Sequence, residues 1–231
     1  MLLFVDDFVV RTLSREAHLA KKGAELNAAT AGAPAMLRRR LTPLGKLAVS
    51  AIAELKPQEN EPMVFASSWG DLARSFALLE SLCSSAEMSP AAFALSVHNA
   101  IGATTAIWLK DRSAHKAVCG GKTTASAGFI ECALALRKAP SVLLARYEPV
   151  MPEAWQNPDA AECSSEPAVW AMRLTAQKTP VTIFELAVSR LSAASEADKS
   201  GSIAAEIDFF LGEMQTYVDT DGKRGWLWKK A

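Results

Sequence analysis

The fold is decided by the stretch Ala117-Val118-Cys119-Gly120-Gly121-Lys122-Thr123-Thr124-Ala125-Ser126-Ala127-Gly128-Phe129. It passes from a short apolar segment, through two glycines, into small residues that open a helix. A strand, a tight turn and a helix in this order are where α/β proteins place a nucleophile or bind a phosphate. Three interpretations are therefore open: a nucleotide-binding loop, a cysteine nucleophile, or an active-site turn that carries no nucleophile.

The nucleotide interpretation rests on Gly121-Lys122-Thr123-Thr124, which resembles the end of the P-loop motif G-x-x-x-x-G-K-[ST]. The first glycine of that motif would fall at position 116, where the sequence has Lys116. That glycine lets the loop wrap its backbone N–H groups around the phosphates, so its absence argues against nucleotide binding.

The cysteine interpretation needs a thiolate with a base beside it. Cys119 ends the predicted strand, and its side chain could face the core. His18, His98 and His115 all precede it in the chain. Only His98 lies in an apolar segment, where a lone histidine is more often a structural hydrogen-bonding group than a base. An enzyme that handles acyl thioesters, using Cys119 with His98 or His115, remains the alternative function.

Outward from this turn, strand and helix patterns alternate, which predicts an α/β layered fold with a mixed sheet covered by helices. The predicted order is strand, helix, strand, two helices, strand, helix and three strands, followed by a C-terminal helix and an edge strand. The segments are strands over 2–10, 62–67, 115–119, 142–147, 168–177 and 181–188, helices from Pro43, Asp71, Asn99, Thr123 and Ile203, and a last strand over 225–230. Residues 11–34 and 151–167 have no clear pattern.

Two cysteines fall on predicted helices. Cys83 shares a helical stripe with Leu72, Phe76 and Leu79, which predicts a small core residue rather than a reactive thiol. Cys132 lies within the helix after the turn, where a buried thiol is the usual outcome.

The bulk composition excludes several classes of protein. The 231 residues suffice for one full hydrophobic core, and 25 Lys and Arg balance 25 Asp and Glu, so no net field favours nucleic acid or anionic lipid. No apolar run approaches the roughly 20 residues of a membrane-spanning helix, and the start lacks the pattern of a signal peptide. The four cysteines form no CxxC pair. We expect a cytoplasmic protein with no metal and no cofactor.

Several motifs together resemble the N-terminal half of β-ketoacyl synthases. They are Ser89-Pro90, Phe93, Ser96-Val97-His98-Asn99-Ala100, the strand from His115 into Gly121, the turn Thr123 to Gly128, and the strand at Val142. In that family the turn reads T-A-C-S-x-G, and its cysteine carries the growing acyl chain. Matching Gly128 to the glycine of the turn puts Ala125 at the cysteine position.

The segment Pro34-Ala35-Met36-Leu37-Arg38-Arg39-Arg40-Leu41, with Ser-Val-His-Asn at 96–99, more closely resembles ketosynthase-like proteins of aryl polyene pathways. Those proteins are described as chain-length-factor-type partners of a complete ketosynthase. The resemblance implies a half-thiolase-like domain over 1–231, with a better-matched core over 1–150 and divergent strands, helix and edge strand over 151–231.

The resemblance also implies what the chain does and does not do. It implies no catalytic residue, because Ala125 has no thiol and nothing after His115 supplies the two catalytic histidines of the second half. The implied partners are a complete β-ketoacyl synthase in a heterodimer and an acyl carrier protein. The implied interface or cavity residues are Phe93, Leu95, Val97, His98, Asn99, His115, Ala117 and Cys119, and Arg38, Arg39 and Arg40 are the candidate contact with the carrier. A self-associating binding module is a third hypothesis.

Overall fold

The computed structural model describes residues 1–12, 30–155, 166–192 and 202–231. Its strands are β1 (Leu2–Thr12), β2 (Met63–Ala66), β3 (His115–Val118), β4 (Ser141–Glu148), β5 (Ala168–Thr175), β6 (Phe184–Arg190), β7 (Thr216–Thr220) and β8 (Gly225–Lys230). Its helices are α1 (Ala35–Arg40), α2 (Pro43–Glu54), α3 (Leu72–Cys83), α4 (Pro90–Ala94), α5 (Ala100–Leu109), α6 (Thr124–Ala135) and α7 (Ile203–Leu211). His18, Cys163 and most of the two segments without a clear pattern lie outside the described residues.

All the strands join one eight-stranded sheet in the order β3-β2-β4-β5-β1-β6-β8-β7. The pairs β2–β3 and β2–β4 are parallel, since helices connect these strands, and the remaining pairs are antiparallel. The predicted α/β layered fold with a mixed sheet is therefore confirmed.

The C-terminal strand is not the edge strand that the sequence predicts. β8 lies between β6 and β7, and the edge of the sheet is β7, which the sequence pattern did not reveal. β7 has five residues, which is too short for a clear alternation, and a tight turn from Asp221 to Arg224 joins it to β8. Trp228 is fully buried because its ring packs against Phe129 of α6 and Phe209 and Phe210 of α7.

Two layers of helices cover the sheet. α2 begins as predicted, with the Thr42 hydroxyl accepting a hydrogen bond from the Gly45 amide at 3.1 Å and Pro43 in the first turn. α2 and α5 cover one face, and α6 and α7 cover the other. Because β4 is buried on both faces, its alternate residues enter different cores, Leu143 and Tyr147 facing α2 while Val142 and Leu144 face α6.

α3 does not bury the stripe that its sequence predicts. Leu72 is buried and Phe76 packs edge-on against Trp155, but Leu79 is 45% exposed and Cys83 is exposed as well. The reason is that α3 lies beyond the end of β2 and packs mainly on α4 rather than on the sheet. The prediction that Cys83 is a core residue is therefore wrong. Cys132 is fully buried, as predicted, and its burial raises the pKa of the thiol.

Candidate functional site

The loops that follow three parallel strands meet at one edge of the sheet. β2, β3 and β4 run in the same direction, so their carboxyl ends lie together, and ligands of open α/β sheets bind at such ends. The residues gathered there are Ser67, Ser68, Cys119, Thr124 and Glu148, which we call the strand-end cluster.

Hydrogen bonds tie the turn after β3 to the neighbouring strands. Glu148 accepts from the Ser68 amide at 2.5 Å and from the Ser67 hydroxyl at 3.3 Å. The Ser68 hydroxyl donates to the Gly121 carbonyl at 2.9 Å, and Gly121 has a φ of 61°, which a glycine adopts without strain. The turn is thus fixed in shape by β2 and β4, not only by its own sequence.

Ala125 lies in the first turn of α6 and is completely buried. Its methyl group belongs to the core formed with Ala66, Leu144 and Phe129. The glycine of the same motif allows this close packing, since a Cβ on Gly128 would lie 3.0 Å from a Leu144 methyl carbon. A methyl group has no lone pair for attack, so this position supplies no nucleophile.

The structure does not join Cys119 to a histidine. The exposed Cys119 thiol lies 3.5 Å from the Ser68 carbonyl oxygen. The His98 Nε2 lies 2.9 Å from the Ser67 carbonyl oxygen. Because a carbonyl oxygen only accepts, Nε2 must donate its proton there and cannot act as a base through that atom. His98 therefore has the structural hydrogen bond that the sequence favours.

His115 is also too far away to activate Cys119. His115 is the first residue of β3 and Cys119 directly follows the strand, four positions later, which corresponds to about 13 Å along an extended chain. The His115 ring packs over α5, where its Cδ2 would lie 3.3 Å from a Cβ added to Gly102. Within the described residues, no hydrogen bond connects a histidine to Cys119.

β3 forms the edge of the sheet opposite β7. The Met63 amide bonds to the Ala114 carbonyl at 3.0 Å, and the Ser67 amide bonds to the Val118 carbonyl at 3.1 Å. Since backbone groups alternate along a strand, the N–H and C=O of His115 and Ala117 point away from β2. An edge of this kind is a template for pairing with another strand.

The segment 93–99, predicted to bound an interface or cavity, forms the end of α4 and the turn into α5. Phe93 is 64% exposed and Val97 is 49% exposed, while Leu95 and His98 are half-buried. Asn99 is exposed and directly precedes α5. The segment thus presents an apolar outer surface.

The structure also holds a charged group that the sequence reasoning missed. Arg146, Glu148, Glu206 and Asp219 are each at most 2% exposed, and we call them the buried charge cluster. The Arg146 guanidinium pairs with Glu148 and, at 3.3 Å, with Glu206.

Two tryptophans and a serine add hydrogen bonds to this cluster, although Oδ1 of Asp219 is buried without a partner among the described residues. The Trp170 indole donates to Glu206 at 2.7 Å, and the Trp228 indole donates to the Ser126 hydroxyl at 2.9 Å. Asp219 accepts from both the hydroxyl and, at 3.2 Å, the amide of Ser126. Since Ser126 is in the first turn of α6, Asp219 satisfies a free N–H group of that helix from a distant strand.

Burial decides the protonation of the cluster. Removal from water raises the pKa of Glu206 to about 7, against the opposing effect of Arg146, and raises the pKa of Asp219 to about 6, against its bonds from Ser126. Burial alone would lower the pKa of Arg146, but the carboxylates of Glu206 and Glu148 outweigh it and raise that pKa.

Two features of the sequence signal this cluster. Arg146 interrupts an otherwise apolar strand, and Glu206 lies on the apolar stripe of α7 beside Ile203 and Ile207. A charged residue on a face that must be buried indicates a buried partner. The partner itself cannot be identified from the pattern, because Glu206 lies 60 positions from Arg146.

We expect the stability of the fold to fall as the pH rises from about 4 to about 7. The ordinary pKa values are 4.5 for Glu206 and 3.8 for Asp219, so the folded chain holds protons that the unfolded chain releases in this window. The protonated form of each carboxyl group is stabilised by folding, and this contribution is complete below the pKa of the unfolded chain. It is lost as the pH rises through the pKa of the folded chain, which lowers the free energy of unfolding by roughly 3 kcal/mol for Glu206.

Urea unfolding of the wild type at steps between pH 5 and pH 8 measures this slope. Glu206→Gln removes one of the two titrations and should flatten it, whereas Glu59→Gln, at an exposed position, should leave it unchanged. A wild-type chain that becomes more stable towards pH 8 would contradict the prediction.

The basic residues Arg38, Arg39 and Arg40 form the last turn of the short helix α1. They line one side of a cleft of about 640 Å³, whose other side is α3. Among the described residues, no group of His, Cys, Asp and Glu side chains is arranged to hold a metal ion. In the same part of the chain, each helix is too short or too polar to cross a membrane.

Comparison with known proteins matches the chain to one protein family. The family model described as "Beta-ketoacyl synthase, N-terminal domain" matches residues 13–229. Among curated proteins, no sequence matches the chain.

Solved structures with a similar fold include a chain of "Ketosynthase (ApeO) in Complex with its Chain Length Factor (ApeC) from Xenorhabdus doucetiae", with a TM-score of 0.76 and 22% sequence identity over 99% of both chains. Ketosynthase twelve of the bacillaene polyketide synthase of Bacillus amyloliquefaciens has a TM-score of 0.52 and 10% identity, covering 87% of this chain and 48% of its own. The module 1 ketosynthase of the bacillaene synthase has a TM-score of 0.51 and 12% identity, and the match covers 86% of this chain and 47% of the ketosynthase. The chain thus spans about half the length of these two ketosynthases, and the half-thiolase-like fold is confirmed.

Proposed function

Since this chain belongs to the family of β-ketoacyl synthase N-terminal domains, we propose that it is a non-catalytic, chain-length-factor-type partner of a complete β-ketoacyl synthase. The observation that carries the proposal is the first turn of α6, which has a completely buried methyl group at Ala125. By the resemblance, that position belongs to the acyl-carrying cysteine. A chain with this turn holds the architecture of a ketosynthase half without its chemistry.

Two features support pairing with another chain. β3 ends the sheet with the backbone of Ala117 facing outward, and the neighbouring segment exposes the apolar side chains of Phe93 and Val97. A similar fold occurs in one chain of a complex between a ketosynthase and its chain length factor. In the proposed heterodimer, β3 pairs with the partner, and Phe93, Leu95 and Val97 lie beside the partner's acyl cavity.

The proposal includes a biosynthetic setting. The chain stabilises the ketosynthase and helps to set the length of an acyl or polyene chain, in aryl polyene, polyketide or fatty-acid-like biosynthesis in the cytoplasm. It works as one domain over 1–231, with the divergent part after residue 150. Arg38, Arg39 and Arg40 remain the candidate contact with an acyl carrier protein, since Arg39 and Arg40 are exposed.

Co-expression with the complete β-ketoacyl synthase of the same genome tests the function. We expect the two chains to purify as a complex, and the ketosynthase to yield products of a different length distribution when this chain is present. Ala125→Cys should leave this chain inactive by itself, because the position is completely buried and the sequence has no histidine after His115 to match the family's two catalytic ones. Two chains that purify separately, with a ketosynthase equally active alone, would refute the proposal.

The alternative is an acyl-thioester enzyme that uses Cys119, and one observation favours it: the thiol is exposed at the carboxyl ends of the parallel strands. Incubation with an acyl thioester, followed by mass spectrometry of the intact chain, tests this alternative. An adduct that disappears in Cys119→Ser would support it, and an unmodified chain would remove it.

A further inference from the structure

A cleft on the surface is lined by residues of α1 and α3 and by the first residues of α2 and α4. Its volume of about 640 Å³ lies within the range of roughly 300–1,000 Å³ that is typical of small-molecule sites. The residues of β3 and the segment 93–99 do not line it. It is therefore separate from the proposed pairing surface.

One side of the cleft is basic and unoccupied by acidic side chains. Arg39, Arg40 and Lys46 line it and form no ion pair with any described residue. A smaller cavity of about 440 Å³ is lined by Arg38, Arg39 and Lys46 as well, so these cations border both cavities. Glu87 is the one acidic residue of the lining.

The position of this basic side is fixed by hydrogen bonds. Arg74, from α3, donates to the Arg40 carbonyl oxygen at 2.6 Å and to the Asp71 carboxylate at 3.4 Å. Asp71 also accepts from the Thr42 hydroxyl at 3.1 Å. The end of α1 and the start of α3 are therefore connected, and the free guanidinium groups of Arg39 and Arg40 extend from a defined backbone.

Apolar side chains form much of the rest of the lining. They are Ala73, Ala77 and Leu78 of α3, Ala92 of α4, and Leu41 and Pro43, and the polar residues Thr42, Arg74, Ser81 and Ser89 lie among them. The lining contains no aromatic ring on which a nucleobase could stack. An inorganic anion alone would leave this alkyl surface in contact with water.

We propose that the cleft binds an amphipathic anion, with an alkyl chain along Ala77, Leu78 and Ala92 and a phosphate or carboxylate head at Arg39, Arg40 and Lys46. Charge-assisted hydrogen bonds hold the head, and burial of the alkyl chain supplies the remaining affinity. This proposal does not rest on pairing with a ketosynthase, because the cleft and its ligand lie within one chain.

Calorimetric titration of the full chain with dodecyl phosphate, below its critical micelle concentration, tests the site. We expect saturable binding of one molecule per chain, with inorganic phosphate and dodecanol each binding at least about tenfold more weakly because each offers half of the interaction. Decanoate, titrated in parallel, shows whether a carboxylate head is accepted. Dodecanol binding as tightly as dodecyl phosphate, or no saturable binding of either amphiphile, would overturn the proposal.

Variants locate the binding. The double variant Arg39→Gln and Arg40→Gln should bind dodecyl phosphate about tenfold more weakly or worse. Ala77→Trp, at an exposed helix position, should block the binding of the alkyl chain. Lys178→Gln removes an exposed cation outside the cleft and should change nothing. Unchanged affinity in both cleft variants would overturn the proposal, as would binding seen only with phosphatidylglycerol vesicles, which would indicate a membrane-facing patch instead.

Discussion

Arg146→Met lowers the free energy of unfolding at neutral pH by about 3–5 kcal/mol, the cost expected when one partner of a buried ion pair is removed. The guanidinium is fully buried and pairs with Glu148 and Glu206, which are buried as well. Methionine fills similar space but leaves both carboxyl groups without a cation. The loss should be smaller at pH 5, where Glu206 is largely protonated because its pKa is raised to about 7.

Urea unfolding at pH 5 and pH 8 measures this effect. Lys116→Met is the matched control, because Lys116 and Glu131 form an ion pair with the lysine 59% exposed, and such pairs contribute less than about 1 kcal/mol. Combining Arg146→Met with Glu206→Gln should cost less than the sum of the two changes, since the second removes the charge that the first leaves unpaired. A loss no larger than that of Lys116→Met would show that the cluster does not hold the fold.

The buried charge cluster explains how the C-terminal part supports the turn before α6. Glu148 connects Arg146 to the backbone of Ser68, and Ser68 in turn bonds to Gly121 in the turn. From the other side, Asp219 of β7 holds the first turn of α6 through Ser126. The shape of the turn therefore depends on strands and helices that follow it by as many as 93 positions.

Local patterns predicted those parts of the fold whose causes are local. α2 was predicted because Thr42, Pro43 and its apolar stripe are all present within one segment. β2 and β4 were predicted because short apolar runs between helices become buried parallel strands. The family resemblance places His115, Ala117 and Cys119 at an interface, and the structure places β3 at an edge of the sheet.

The errors have a common physical origin in long-range packing. The stripe of α3 is apolar, yet Leu79 and Cys83 are exposed in the described structure, so an amphipathic pattern alone does not show that a helix face is covered. The position of β8 depends on β7, a strand too short to recognise in the sequence. Asp219 and Glu206 were missed because a pattern does not reveal which distant residue pairs with a buried charge.

Ala117→Pro should abolish pairing with the ketosynthase while leaving this chain folded. The carbonyls of Ala114 and Val118 face β2, so by alternation the N–H of Ala117 points to the free edge. Proline removes that donor and places its ring where the partner strand would lie, and edge strands tolerate proline whose missing N–H faces outward. We expect the amount of ketosynthase that co-purifies to fall by at least about tenfold, since a paired edge cannot form.

Two further substitutions separate pairing from folding. Ala117→Ser keeps the N–H and should retain the complex. Lys116→Pro removes an N–H that faces β2, so it should destabilise the chain itself, which thermal unfolding of the isolated chain would detect. If Ala117→Pro unfolds at the wild-type temperature and still co-purifies in wild-type amount, β3 is not the pairing strand, and the exposed segment with Phe93 and Val97 becomes the surface to test.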